Sequence, residues 1–225
     1  MICGKTYRFK VAAYTYKNGK KVVGNESAVL TTTAYVRKVS GLTGTKAGGP
    51  AVNLTWNGMR TADGFEVQVG NSATGPFTTK AKVSGTKTTI NALPMGQYLY
   101  FRVRAYNTQE NVTSYGAWSD VIKSFAAPKA ATNLKSTKQT KNSITITWTP
   151  ADGVTEAMVF YKKDGDSSYS LATTISSGSA NNYCISGLSS GKKYWIKVRS
   201  ICTNTDGSGF LEGLTTSSIG VWTNK

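Results

Sequence analysis

The 225-residue chain predicts an all-β protein built from tandem modules, and three observations carry that expectation. Thr, Ser, Gly, Val and Tyr dominate, and no segment keeps apolar residues at helical spacing for three turns. Turn signals recur at the spacing a β-sandwich needs. A ten-residue phrase occurs three times, at Gly4 to Ala13, Gly96 to Ala105 and Gly191 to Ser200, with periods of 92 and 95 residues. That period is the size of a small domain rather than of a solenoid repeat. It divides the chain into a remnant at 1–35 and two complete modules at 36–126 and 127–225. About 90 residues per module can bury one modest core without metal or disulfide support.

Each element follows from local pattern. In the first 35 residues, Tyr7, Phe9, Val11 and Ala13 alternate with Arg8 and Lys10. Asn18-Gly19 then reverses the chain, which returns through Ser27 to Thr31. In the next module the expected strands are Val52 to Trp56, Phe65 to Val69, Phe77 to Val83, Thr88 to Ile90, Leu99 to Tyr106 and Trp118 to Phe125. Gly48-Gly49-Pro50, Asn57-Gly58, Gly75-Pro76 and Pro94-Met95-Gly96 punctuate them. Ala126-Ala127-Pro128 marks the second junction, where Pro128 removes a donor and fixes the backbone. The order recurs beyond it, in Ile144 to Trp148, Ala157 to Tyr161, Tyr169 to Ile175, Tyr183 to Ile185, Tyr194 to Cys202 and Ser218 to Trp222. Junctions this short predict an elongated arrangement.

Charge and composition narrow the function. The net charge is +16, from 27 Lys and Arg against 11 Asp and Glu. Such a balance suits polyanionic partners. Counted by segment, the excess is about +5, +6 and +5. So even a spread argues against a dedicated nucleic-acid surface and for a generally basic one, able to meet glycans or cell-wall polyanions. No stretch reaches the ~20 apolar residues that span a bilayer, so no membrane insertion is expected. Met1 to Lys5 is no signal peptide, and any export signal is expected outside this segment.

Together these residues resemble fibronectin type III modules. The markers are an early strand ending in Trp56 or Trp148, a Leu-x-x-Gly turn at Leu93 to Gly96 and Leu188 to Gly191, and the Tyr-x-Phe/Ile-x-Val-x-Ala/Ser strand after each. The resemblance covers nearly the whole chain. It implies two consecutive seven-stranded, immunoglobulin-like β-sandwiches, preceded by the last two strands of a truncated third. It also implies a corner tyrosine three residues after the glycine. Tyr7 and Tyr194 stand there, but the middle module has Leu99, so its corner hydrogen bond should be missing or replaced. The loop at Lys17 to Ser27 is similar to loops of such modules in surface and secreted proteins of Gram-positive bacteria.

Little here suggests catalysis. With no histidine, acid–base work would fall to carboxylates, Lys or Tyr, and neither Asp63 with Glu66 nor Asp152 with Glu156 has a fixed separation. Asp164-Gly165-Asp166 lacks the rest of a calcium ladder and reads as a hairpin turn. Cys3, Cys184 and Cys202 have no metal-ligand spacing. Strand parity puts Cys184 outward and Cys202 inward, which predicts free thiols. No cofactor is expected. The candidate ligand-binding residues lie on the outward side of the sixth strand: Tyr100, Arg102 and Arg104 in one module, Trp195, Lys197 and Arg199 in the next. Aromatic faces beside guanidinium and ammonium groups can stack on sugars or hold anionic polymers. The alternative is that these side chains pair across strands of their own sheet, burying their stems.

The functional expectation is a non-catalytic extracellular spacer and adhesion segment of a larger bacterial cell-surface protein. The competing expectation is a set of accessory modules of a secreted carbohydrate-active enzyme. Two strands cannot make a sandwich, so residues 1–35 are expected to be loosely ordered or to self-associate by strand addition.

Overall fold

The computed structural model describes residues 5–225; Cys3 and Gly4, where the first repeated phrase begins, lie outside the described residues. Every regular element in that range is a strand. In chain order they are β1 Thr6–Phe9, β2 Ala12–Lys17, β3 Lys20–Glu26, β4 Leu30–Thr33, β5 Thr43–Lys46, β6 Val52–Thr55, β7 Gly64–Gly70, β8 Phe77–Val83, β9 Lys87–Ile90 and β10 Leu99–Gln109. There follow β11 Val112–Tyr115, β12 Ile122–Ser124, β13 Thr132–Gln139, β14 Ile144–Thr149, β15 Glu156–Lys163, β16 Ser170–Ile175, β17 Asn182–Ile185, β18 Lys193–Thr203, β19 Phe210–Thr215 and β20 Ile219–Trp222.

Two sandwiches share one plan. In the first, a sheet β5-β6-β9 faces a sheet β11-β10-β7-β8, with β12 also on β10. In the second, β13-β14-β17 faces β16-β15-β18-β19, with β20 also on β18. Counting each interrupted last strand once makes seven strands apiece. The long sixth strands explain both cores, because alternation sends Leu99, Phe101, Val103 and Ala105, or Tyr194, Ile196 and Val198, inward. Trp56 packs edge-on against Phe65 at 5.5 Å between ring centroids. Trp148 joins Ile146, Val159 and Ile196 in the second core. The surface area, 12981 Å², exceeds the roughly 10,000 Å² expected of one compact monomer of this mass, as modules set end to end require.

The corner tyrosine behaves as its two contexts demand. The Ser189 N–H donates to the Tyr194 hydroxyl at 2.9 Å, tying the Leu-x-x-Gly turn to β18. Leu99 fills the corresponding place in the first sandwich as a fully buried apolar side chain, with no such bond. Gly96 and Gly191 both sit at positive φ, 77° and 63°, where the turn enters the strand and a β-carbon would be strained.

Three strand expectations need correction. The last strand of the first sandwich, expected as Trp118 to Phe125, is interrupted. β11 ends at Tyr115, β12 begins at Ile122, and single bonds from Gly116 N–H to Ala105 O and Ser119 N–H to Val103 O hold the gap to β10. Gly116 backs onto the carbonyls of Val36 and Arg37 so closely that a β-carbon would collide with them. β5, β13 and β19 carry no clear apolar alternation in the sequence, because a strand at a sheet edge takes its place from backbone pairing on one side. The leading segment forms four short strands rather than two. β1 pairs β4, β2 pairs β3, and an irregularity at Lys10-Val11 separates them. Asn18 and Gly19, at φ 53° and 72°, make the two-residue reversal between Lys17 and Lys20.

The junction at Ala126-Ala127-Pro128 is packed, not merely short. Gly49 N–H donates to Ala127 O at 2.7 Å, and Thr205 N–H donates to Gly96 O at 2.6 Å. Lys46 Nζ reaches Glu212 O at 2.6 Å. A β-carbon on Gly153 would overlap Met95, and one on Gly48 would overlap Leu214.

The leading hairpin has no second sheet. Val11 is 74% exposed and Tyr16 67%, although the repeat places Val11 opposite the fully buried Val103. Among the described residues, its ion pair to the first sandwich is an exposed one, Lys5 to Glu110 at 3.1 Å, of the kind worth about 0–1 kcal/mol. Deleting residues 1–34 is therefore expected to move the thermal midpoint of the remainder by no more than about 2 °C. In hydrogen exchange, amides of β2 and β3 should exchange within seconds while those of β10 and β18 stay protected.

Candidate functional site

The outward side of β10 carries a column of interleaved cations and rings. Register puts Arg102 opposite Gln68 and Arg104 opposite Glu66 on β7. Arg102 donates twice to Gln68 Oε1, at 3.0 Å and 2.7 Å. Its guanidinium lies between the rings of Phe77, 4.1 Å away, and Trp118, 4.2 Å away. Arg104 binds Glu66 Oε2 through Nε at 2.8 Å and Nη2 at 2.7 Å, and stacks between Tyr115 at 3.9 Å and Trp118 at 4.4 Å. Trp118 thus separates two guanidinium groups and touches both. Tyr100 stands opposite Lys123 at the other end of the column. Gly70 makes room for Phe77 to lie over β7, since a β-carbon there would press on its ring.

The electrostatics follow from this packing. Glu66 is the acidic centre, with its side chain only 7% exposed, while that of Arg104 is 25% exposed. Burial raises the Glu66 pKa, but hydrogen bonds from the Thr79 hydroxyl and Arg104, with the Arg104 charge, outweigh it and hold the carboxyl below the usual carboxylate range. Burial, then the neighbouring Arg104, lowers the pKa of Arg102.

The second sandwich repeats the column more loosely. Trp195 lies over Gly220, its Nε1 donating to Asp164 Oδ1 at 2.6 Å, with Lys193 4.3 Å above the ring. Lys197 sits 3.9 Å from the Tyr169 ring. Arg199 pairs with Glu212 at 2.7 Å, donates to Thr215 Oγ1 at 3.1 Å and faces Phe160 at 5.2 Å. Asp164-Gly165-Asp166 is a turn: Asp166 N–H donates back to Lys163 O and its carboxylate accepts from Lys163 N–H. Asp63 accepts from Thr108 N–H at 2.6 Å and Asn107 Nδ2 at 3.3 Å, which ties the turn before β7 to the end of β10. Cys184 is exposed and Cys202 buried, both free thiols, and burial pushes the Cys202 pKa up.

The structure therefore brings Arg102 with Arg104 into one column and Trp195, Lys197 and Arg199 into another; the guanidinium groups and the Trp195 N–H are hydrogen-bonded within their own module, and Lys197 lies against the Tyr169 and Phe160 rings. The cross-strand pairing expected as the alternative is present for Arg102, Arg104 and Arg199. The sequence reading overlooked their partners Glu66, Gln68, Phe77, Tyr115 and Trp118. Alternation within Phe65 to Val69 is the signal that could have found Glu66 and Gln68; no local pattern discloses that Trp118 folds back between two arginines.

Two outcomes follow. Trp118→Ala removes two cation–π contacts of about 0.5–1 kcal/mol each plus buried ring area, and should destabilise the first sandwich by about 2 kcal/mol in urea unfolding. A carboxylate with a depressed folded-state pKa contributes stability that is present above its unfolded pKa and lost as pH falls through the lowered value. On acidification below about pH 4.5, the ordinary value of a free glutamate, wild type should lose this contribution, and Glu66→Gln should show a flatter stability–pH profile there.

Comparison with known proteins agrees with the architecture. The fibronectin type III domain model matches residues 126–216. Chitinase A1 of Niallia circulans is 32% identical over 162 residues, 66% of this chain, and the matched part spans 21% of that enzyme's length. Among solved structures, a two-module fibronectin type III segment of chicken tenascin is 18% identical, with 82% of this chain and 99% of that one covered at a TM-score of 0.49. The chicken CNTN1 FN1-FN3 domains are 16% identical, with 100% and 80% covered at a TM-score of 0.40. Residues 126–216 form a fibronectin type III domain, and the sandwich before it repeats that domain's sheet order and its Trp and Leu-x-x-Gly markers.

Proposed function

We propose that this chain is a non-catalytic spacer and adhesion segment of a larger extracellular bacterial protein, with module boundaries at 36–126 and 127–225. The observation that carries the reading is the packed junction. Met95 against Gly153, Gly48 against Leu214 and the bonds at Gly49, Gly96 and Lys46 set the two sandwiches at one angle. A rod of fixed geometry holds what it carries at a constant distance. Its surface keeps a net positive charge in every segment, which suits contact with wall polyanions or glycans.

The second reading, accessory modules beside a carbohydrate-active catalytic domain, draws on the similarity to chitinase A1 of Niallia circulans. The two readings share the spacer and differ in its cargo. Both place the protein outside the cell.

Small-angle scattering should return one particle length between low and high salt, since the junction is apolar contact and backbone bonding rather than exposed ion pairs. Retention on immobilised anionic wall polymer should fall steeply as ionic strength rises above about 0.15 M. A particle length that varies as for hinged beads would refute the spacer. Salt-insensitive retention on insoluble chitin would favour the second reading over surface adhesion.

A further inference from the structure

A cleft of about 960 Å³ opens at the end of the first sandwich nearest the leading hairpin. Thr33 to Tyr35, Arg37, Lys38, Met59 to Thr61, Asp63, Asn107 and Gln109 contribute to its walls. Its size falls within the range of ligand sites, about 300–1,000 Å³.

Its wall holds unmet hydrogen-bonding capacity. Among the described residues, three buried side-chain polar atoms lack a partner: Trp56 Nε1, Asn107 Oδ1 and Gln109 Oε1. The last two belong to lining residues of this cleft, and Asn107 is only 8% exposed. A buried acceptor without a donor is costly, and native folds rarely retain one. Both oxygens are themselves buried, so a ligand in the cleft reaches them only by turning the Asn107 and Gln109 side chains that line it. Arg37 and Arg60 are exposed at the same cleft with no ion-pair partner among the described residues, whereas Lys38 is paired with Asp120 at 2.6 Å. Tyr35, 73% exposed, offers an aromatic face at the rim.

The other junction shows that these polar residues are not required by module packing. There the end of the second sandwich meets Met95 and Gly96 with Gly153 and Cys202, at the places held here by Thr61 and Asn107. A seat for a neighbouring loop is built from small and apolar groups. This one is built from amide oxygens and guanidinium groups.

We propose that this cleft binds an acidic saccharide, a sugar bearing a ring carboxylate. The hydroxyls donate to Gln109 Oε1 and Asn107 Oδ1, the carboxylate accepts from Arg37 and Arg60, and the sugar face stacks on Tyr35. A polyphosphate satisfies only the cations, because it brings no donors for the amide oxygens. A neutral sugar leaves the two guanidinium groups unused. The assignment deepens the adhesion reading above and rests on it only for the class of polymer.

The test uses the full 225-residue chain in NMR titrations with trigalacturonic acid, chitotriose and inorganic tripolyphosphate. Trigalacturonic acid should shift the side-chain amide signals of Asn107 and Gln109, and chitotriose and tripolyphosphate should not. Arg37→Ala with Arg60→Ala, both exposed and so harmless to folding, should weaken trigalacturonic acid binding at least tenfold. Gln109→Leu should weaken it several-fold with both cations retained. Unmoved Asn107 and Gln109 amides, or equal binding of tripolyphosphate, would overturn the proposal. So would salt-sensitive retention on wall polymer that survives in the double arginine variant, a result that leaves the adhesion reading intact.

Discussion

The central strand of the larger sheet governs this architecture. β10 and β18 are each eleven residues long and bonded on both sides, so one strand presents one face to the core and the other to solvent along most of its length. The inward face is apolar and closes the sandwich. The outward face would leave a run of cations on a flat sheet, where like charges two residues apart repel. Both sheets resolve this by setting aromatic rings and carboxylates between the cations. Trp118 shows the device most clearly, because one indole screens Arg102 from Arg104 while covering both stems.

That arrangement bears on how the positive charge can be used. A guanidinium already stacked between two rings and bonded to Gln68 or Glu66 must lose those contacts before it serves a ligand. Cations with no ion-pair partner among the described residues, such as Arg37 and Arg60, can meet an outside anion at little cost. Net charge alone does not separate these two populations; burial and pairing do.

The two ends of the first sandwich are built from different chemistry. Toward the second sandwich, glycine, methionine and alanine let backbones approach until little space remains. Toward the hairpin, polar groups surround an open cleft. The hairpin itself shows what the repeated phrase needs in order to be stable. Phe9 and Val11 match Phe101 and Val103, which are buried under β5-β6-β9, and without such a sheet Val11 stays in water.

Fold class, module period, most strands and most of the core face of the long strands were legible in the sequence, because alternation of period two and Gly-rich turns are local signals; Ile201, buried against parity at the end of β18, was not. The Leu99 substitution at the tyrosine corner and the opposite facing of Cys184 and Cys202 followed from the same parity. Edge strands such as β5 and β19 were not legible, since backbone pairing, not side-chain pattern, makes them. The interruption of the last strand at Gly116 depends on the approach of Val36 and Arg37 from 80 residues away in sequence. The candidate residues Tyr100, Arg102, Arg104, Trp195, Lys197 and Arg199 were placed on the correct face by the sequence. Whether they were free or paired was a matter of register and rotamer, which only the tertiary structure decides because their partners arrive from other strands. For the same reason, Asn107 and Gln109 were silent in the sequence: an unmet hydrogen bond exists only once the surroundings that fail to meet it have been assembled.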